Sequence, residues 1–259
     1  KACKSECPSN VDMTKLKAEF LSHYYRLHGI PIRTLLIGWL PRINRFGHAI
    51  WPLTNFIMRQ SFFKKLIGFN PDRTLPSLSK ITLRTWAEKC QTTSMHMKNP
   101  LGKVFLFADE FTNYNESDIG IKAIILLETL GYQVEVPAHA ESGRTFLSKG
   151  LLKSARKIAE KNVRMLKDIV TEKTPLVGIE PSAILTFRDE YPDLLSGELH
   201  DAAVKLGKNA IMIEEFICRE YDKGKITPEQ FVHDPLSVKL HGHCQQKAIA
   251  STSFTRKML

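Results

Sequence analysis

Apolar residues recur at helical spacing from the start of the chain. In "PSNVDMTKLKAEFLSHYYRLHG", Leu16, Phe20 and Tyr24 fall four apart on one face. Ser9 or Asn10 supplies a cap and Gly29 a stop, so one helix is expected here. The next stretch, "IPIRTLLIGWLPRINRFGHAIWPLTNFIMRQSFFKKLIGFNP", is apolar and aromatic, and Pro41 and Pro52 divide it into short helices. Ser77 or Ser79 starts one more helix, and "CQTTSMHMKNPLG" reads as a linker.

After the linker the pattern becomes strand, helix, strand. "GKVFLFADEF" is a short apolar run of the kind that forms a buried parallel strand. A helix follows from Glu116–Ser117 to Gly131, and then a strand at 133–136. "SGRTFLSKGLLKSARKIAEKNVRMLKDIVTEK" predicts one long amphipathic helix, and "TPLVGIEP" a third strand. "DAAVKLGKNAIMIEEFICREYDKG" predicts another helix. "SVKLHGHCQQKAIA" predicts a fourth strand running into a helix. Alternation of this kind calls for an α/β fold: an open, mainly parallel sheet with flanking helices, preceded by a helical region.

Charge sharpens the division. Residues 1–100 hold 16 Lys/Arg against 5 Asp/Glu, whereas residues 101–259 hold 21 against 22. The expected domains are therefore a basic helical region, 1–100, and a neutral α/β domain, 101–259. Three readings of the basic stretch stay open. Short helices pack on the neighbouring domain, an interfacial segment lies on an anionic membrane, or a basic and aromatic surface meets nucleic acid. No nucleic-acid motif is present, so no nucleic-acid partner is expected. No run reaches the roughly 18–20 apolar residues of a bilayer span. Five scattered cysteines and no leader sequence point to a reducing, cytoplasmic setting, with peripheral contact at the inner face of a membrane as the interfacial variant.

The candidate chemistry lies at the chain start and at the strand ends. Cys3 and Cys7, followed by Pro8, match the tail of the bacterial ferredoxin run C-x2-C-x2-C-x3-C-P. The chain begins on Lys1, so the first two cysteines are expected upstream. Cys90 and Cys218 fall in helical patterns and read as core residues. At the strand ends stand Asp109 and Glu110, then His139 and Glu141, then Glu180, then His241 to Cys244. Open α/β sheets place ligands at this edge.

"FADEFTNYN", "SGRTFLSKGLL", "GIEPSAILTFRDEYPDLL" and "LHGHCQQKA", in this order, resemble the cysteine-rich CCG domain. That family occurs in the iron–sulfur part of FAD-linked D-lactate and glycolate oxidases, in the anaerobic glycerol-3-phosphate dehydrogenase iron–sulfur subunit and in heterodisulfide reductase subunits. The resemblance implies an electron relay. FAD on an upstream domain or subunit oxidises a 2-hydroxy acid, and [4Fe-4S] clusters pass electrons to a quinone or cytochrome. Cys3, Cys7 and Cys244 are the metal-ligand positions it leaves in this chain. Catalytic residues are expected in none of these 259 positions.

The chain departs from the family at its cluster ligands. Glu110, Glu141, Ser142 and Ala183 stand where the family has cysteine, and Gln245 replaces the usual histidine after Cys244. The chain also ends at Leu259, before the expected second Cys-Cys-Gly. Thiolates hold iron–sulfur clusters, serine and carboxylate are harder ligands, and alanine is none. The expectation is a retained scaffold with a degenerate cluster site. Either Asp109, Glu110, His139 and Glu141 gather around a hard cation, or Arg144 or Arg188 pairs with Glu110 or Glu141. The alternative function is a non-catalytic docking domain for a partner or a membrane surface.

Overall fold

The computed structural model describes all residues except 2–3, 5, 10, 95–98 and 233–236, and only the backbone of 91–94. The basic half contributes α1 (Met13–His28), α2 (Ile32–Gly38), α3 (Leu40–His48), α4 (Trp51–Arg59), α5 (Ser61–Leu66) and α6 (Leu83–Ser94). The rest forms β1 (Gly102–Leu106), α7 (Glu110–Tyr114), α8 (Ser117–Thr129), β2 (Tyr132–Glu135), α9 (Arg144–Ser148), α10 (Leu152–Leu166), β3 (Leu176–Gly178), α11 (Pro181–Ile184), α12 (Thr186–Leu194), α13 (Glu198–Lys208), β4 (Ala210–Met212), α14 (Ile213–Asp222), a 3-10 turn (Pro228–Gln230), α15 (Cys244–Ile249) and α16 (Ser253–Met258).

The sheet has the order β2-β1-β3-β4 and every pairing is parallel. Alternate side chains supply its two cores. Phe105, Phe107, Leu176, Ala210 and Met212 meet residues of α10, α12 and α13. Val104, Leu106, Val177 and Ile211 meet residues of α6, α8 and α14. Burial on both faces explains why the strands read as continuous apolar runs.

Several boundaries differ from those the sequence predicts. Asp12 caps α1 in place of Ser9, its Oδ1 accepting from the N–H of Thr14 at 3.0 Å and of Lys15 at 3.2 Å, and Asn10 lies outside the described residues. The Leu16, Phe20 and Tyr24 stripe of α1 is exposed. Thr82, not Ser77 or Ser79, stands ahead of α6, its hydroxyl accepting from the Thr85 N–H at 3.1 Å. The linker expected over 90–102 is helical as far as Ser94. Pro41 and Pro52 do open the short helices α3 and α4.

The long helix expected from residue 143 onward is broken at Gly150, where φ is +70° and a Cβ would lie 2.5 Å from Leu21 Cβ. α1 crosses there, and only glycine admits it. The fourth strand is also not where periodicity puts it. It is Ala210–Met212, inside the segment expected to be one helix, and residues 237–243 form no strand. The apolar trio Ile211–Ile213 suits a strand or a helix by pattern alone.

Candidate functional site

The site is the crown formed where β1, β2 and β3 end. Asp109 follows β1 and caps α7, with Oδ1 accepting from the N–H groups of Phe111 (2.9 Å) and Thr112 (3.0 Å). Its Oδ2 accepts from the Thr112 hydroxyl. The cap turns the chain so that Glu110, first residue of α7, projects into the crown and is buried. Glu110 Oε1 accepts from Ser142 Oγ at 2.7 Å and Oε2 from the Ser142 N–H at 2.9 Å. The first and third of the substituted positions therefore bond directly to each other.

Tyr191 and Asn162 hold this pair from below. The Tyr191 hydroxyl donates to the Ser142 carbonyl at 2.9 Å. Asn162 Nδ2 donates to Tyr191 Oη and to the Glu141 carbonyl, each at 2.8 Å, and its Oδ1 accepts from the Ala140 N–H at 2.8 Å. Sequence reasoning singled out neither residue. A signal for Asn162 exists, since it interrupts the apolar stripe Ile158, Ala159, Val163, Leu166 of α10. Tyr191 lies in the "RDEYPDLL" segment but carries no signal of its own.

Arg84 of the basic half is a third unflagged residue. Its guanidinium donates to the carbonyls of Pro137 (3.3 Å) and His139 (3.2 Å), and its N–H to Asn113 Oδ1 (3.0 Å). His139 Nε2 in turn accepts from the Ala108 N–H at 3.1 Å, while Nδ1 lies 2.7 Å from the Ala140 carbonyl. Both ring nitrogens are thus engaged with backbone.

Burial governs the charges. It pushes the Glu110 carboxyl up to about 7, helped by neighbouring Asp109 and opposed by the Ser142 bonds. Asp109 rises to about 6, again by burial first, with Glu180 adding to it and the Thr112 bonds opposing it. His139 falls to about 3 through burial and the nearby Arg84.

The remaining expectations resolve as follows. Arg144 pairs with Glu190 at 2.6 Å and Arg188 with Glu215 at 2.7 Å, so neither forms the ion pair expected with Glu110 or Glu141, and Glu110 is met instead by the neutral donors of Ser142. Glu141 Oε1 is buried and has no hydrogen-bond partner among the described residues. Ala183 is buried in α11, in one core cluster with Phe107, Phe187 and Tyr191. No group of three or more His, Cys, Asp or Glu side chains among the described residues is arranged to hold a metal ion, which removes the hard-cation reading of Asp109, Glu110, His139 and Glu141 there. Cys244 is exposed at the first turn of α15. His243 caps that helix, its Nδ1 accepting from the Gln245 N–H at 3.1 Å. Cys218 is buried and Cys90 half-buried.

Cys3 lies outside the described residues. Cys7 is half-buried, on a segment tied to α12 through Lys1. Lys1 Nζ reaches Asp12 at 3.0 Å, Glu190 at 3.1 Å and also Asp189. The donor set of the crown does not fit a thiolate-held cluster. Two positions are bonded to each other, one is a methyl group, and the surviving thiol faces solvent.

Comparison with known proteins places the chain beside dehydrogenases. It is 28% identical over 218 residues to a D-2-hydroxyglutarate dehydrogenase of Pantoea ananatis, covering 80% of this chain and 21% of that protein. It is 24% identical over 257 residues to the D-2-hydroxyglutarate dehydrogenase of Pseudomonas putida, covering 95% of this chain and 24% of that protein. It is 27% identical over 189 residues to one of the subunits of the anaerobic glycerol-3-phosphate dehydrogenase of Escherichia coli, covering 72% of this chain and 46% of that polypeptide. The chain thus spans about a fifth of the length of the D-2-hydroxyglutarate dehydrogenases it matches. No family model matches, and no solved structure matches.

Proposed function

We propose that this chain is the C-terminal electron-transfer portion of a FAD-linked 2-hydroxyacid dehydrogenase, whose CCG-like half has become a cluster-free scaffold. The observation that carries this reading is the Glu110–Ser142 pair, buried and mutually hydrogen-bonded where the resemblance puts two cysteines. The names of the relatives support the dehydrogenase context and favour 2-hydroxyglutarate over lactate or glycolate as the hydroxy acid. Substrate oxidation belongs to an upstream flavin domain or subunit, and a quinone or cytochrome is the final acceptor.

Within that arrangement the chain's own residues do two things. The α/β half supplies an acidic surface, Asp189, Glu190 and Asp193 on α12, which Lys1, Lys4 and Lys15 grip by ion pairs. This contact orients the segment bearing Cys7, which with Cys3 makes the proposed last ligands of the ferredoxin-type run. The crown replaces cluster charge with a hydrogen-bonded carboxyl, so the scaffold keeps its shape with nothing bound. A domain boundary near residue 100 belongs to the same proposal. The second reading, a docking domain, rests on the same sealed crown and differs only in whether the N-terminal run still carries electrons.

The test is iron and acid-labile sulfide, measured anaerobically on the chain extended upstream to restore the cysteine run. Cys7→Ser is expected to lower iron, and Cys244→Ser to leave it unchanged. Iron that falls with Cys244→Ser would mean the α/β half holds a cluster, and the scaffold reading would fail. Absence of iron from the extended chain would leave the docking reading alone standing.

A further inference from the structure

Three successive helices of the basic half are inside out. α3 buries Asn44 (6% exposed) while Ile43 and Phe46 stand in solvent (41% and 77%). α4 buries Asn55 (9%) and presents Leu53 and Phe56 (52% and 63%). α5 buries Lys64 (8%) and presents Phe62 and Leu66 (79% and 71%). A soluble surface helix normally does the reverse.

Hydrogen bonds fix this orientation. Asn44 Nδ2 donates to Asn115 Oδ1 at 3.3 Å. Asn55 grips the Leu78 backbone with both ends, Oδ1 accepting at 2.7 Å and Nδ2 donating at 2.9 Å. Lys64 Nζ donates to the Pro71 carbonyl at 2.9 Å. Rolling α4 to bury its phenylalanine would leave the buried N–H and C=O of Leu78 without partners. The apolar face is therefore built into the fold.

Charge identifies what covers it. From Phe20 to Pro71 the chain has no Asp or Glu, and Arg33, Arg42, Arg45, Arg59 and Lys65, on α2 to α5, are exposed. The Arg42 guanidinium sits 4.0 Å from the centre of the Trp39 ring, so the cation and the amphipathic ring share one edge of the face. Phenylalanines among cations, with no carboxylate, suit the boundary between acyl chains and anionic headgroups. A protein partner would need its own carboxylates placed around an apolar patch, whereas an anionic bilayer offers both features everywhere along its surface. Among the described residues no helix is long and apolar enough to cross a membrane. We infer that α3, α4 and α5 seat this protein in the plane of an anionic membrane, the phenylalanines entering the acyl boundary and the arginines meeting lipid phosphates. This goes beyond the electron-transfer reading and does not depend on it. The nearly neutral α/β half is left on the aqueous side.

The full 259-residue chain is to be sedimented with vesicles of phosphatidylcholine alone and of phosphatidylcholine mixed with phosphatidylglycerol. Binding is expected to the mixed vesicles, to weaken as salt rises, and to shift the tryptophan emission to the blue through Trp39 and Trp51. Phe46→Ser with Phe56→Ser and Phe62→Ser should weaken binding about tenfold or more, and Arg42→Glu with Arg45→Glu by a similar factor. Lys208→Glu on α13 should leave binding unchanged. Every one of these positions is exposed, and a thermal melt checks that each variant stays folded. If the serine variant fails to fold, the arginine variant and the salt series decide. Equal binding to both vesicle types would overturn the role of charge. Absence of vesicle binding, with the chain self-associating through this face, would overturn the membrane as occupant and make the face a protein contact.

Discussion

Glu110 is the residue on which the electrostatics of the crown turn. Its carboxyl titrates near 7 when folded, so the folded state holds that proton more tightly than the unfolded state does. Its contribution is complete below the ordinary carboxylate range and is lost as pH rises from about 4.5 to 7. Asp109 acts in the same sense up to about 6. His139 acts oppositely. Held near 3, it stays neutral when folded while the unfolded imidazole takes a proton near 6.5, so its share of stability grows as pH rises between those values. The slopes oppose each other up to 6.5, and above that Glu110's remains. Wild-type melting temperature is expected to drop between pH 6.5 and about 8, with a share from Glu110 corresponding to roughly 1 kcal/mol over that interval. Glu110→Gln, which keeps an acceptor for Ser142, should flatten that drop. An equal drop in both proteins would show that Glu110 is not the group responsible. The apolar Ala183 takes no part in this, and the sequence alone already reveals that it offers no ligand.

At the scale of elements, tight crossings and hydrogen-bonded clamps set the geometry. Gly207 lets α13 approach α12, because a Cβ there would lie 2.6 Å from the Phe187 carbonyl oxygen. Gly207→Ala is expected to lower stability by about 1–3 kcal/mol in a urea titration. No loss would mean the helices move apart freely. The clamp of Asn55 on Leu78 invites a different test. Asn55→Leu strips partners from a buried N–H and a buried C=O, which costs about 1–3 kcal/mol. A stabilised Asn55→Leu would instead mean that α4 rolls to bury its apolar side. Helix α8 and strand β1 were legible in advance, because a 13-residue periodic segment and a short apolar run each fit one template. Strand β4 was not, since three residues, Ala210–Met212, are too few to show any period and take strand form only by pairing with β3.

At the scale of the whole molecule, the two halves differ in what they present. The α/β half closes both faces of its sheet and answers the buried carboxyl of Glu110 from its own Ser142. Helices α3 to α5 of the basic half turn apolar side chains outward and keep polar ones for their contacts. If both proposals hold, a membrane-seated module carries a ferredoxin-type segment gripped by α12, with the crown serving as a rigid support. Loss of iron with Cys7→Ser and loss of vesicle binding with the phenylalanine variant are then expected to be separable, because Cys7 belongs to the segment held to α12 and the phenylalanines to α3, α4 and α5.

Local pattern was enough to establish the α/β class, the charge division near residue 100, the proline-opened helices α3 and α4, and the strand-end position of Asp109, Glu110, His139, Glu141 and Glu180. Each depends on residue type and short-range spacing. Three features arise only from the folded chain: the bond between Glu110 and Ser142, the support from Asn162 and Tyr191, and the outward phenylalanines of α3 to α5. They join residues far apart along the chain, or depend on which side of a short helix finds a hydrogen-bond partner. Periodicity names the two faces of a helix, but it takes Leu78, Asn115 and Pro71, brought close by folding, to decide that the polar face goes in.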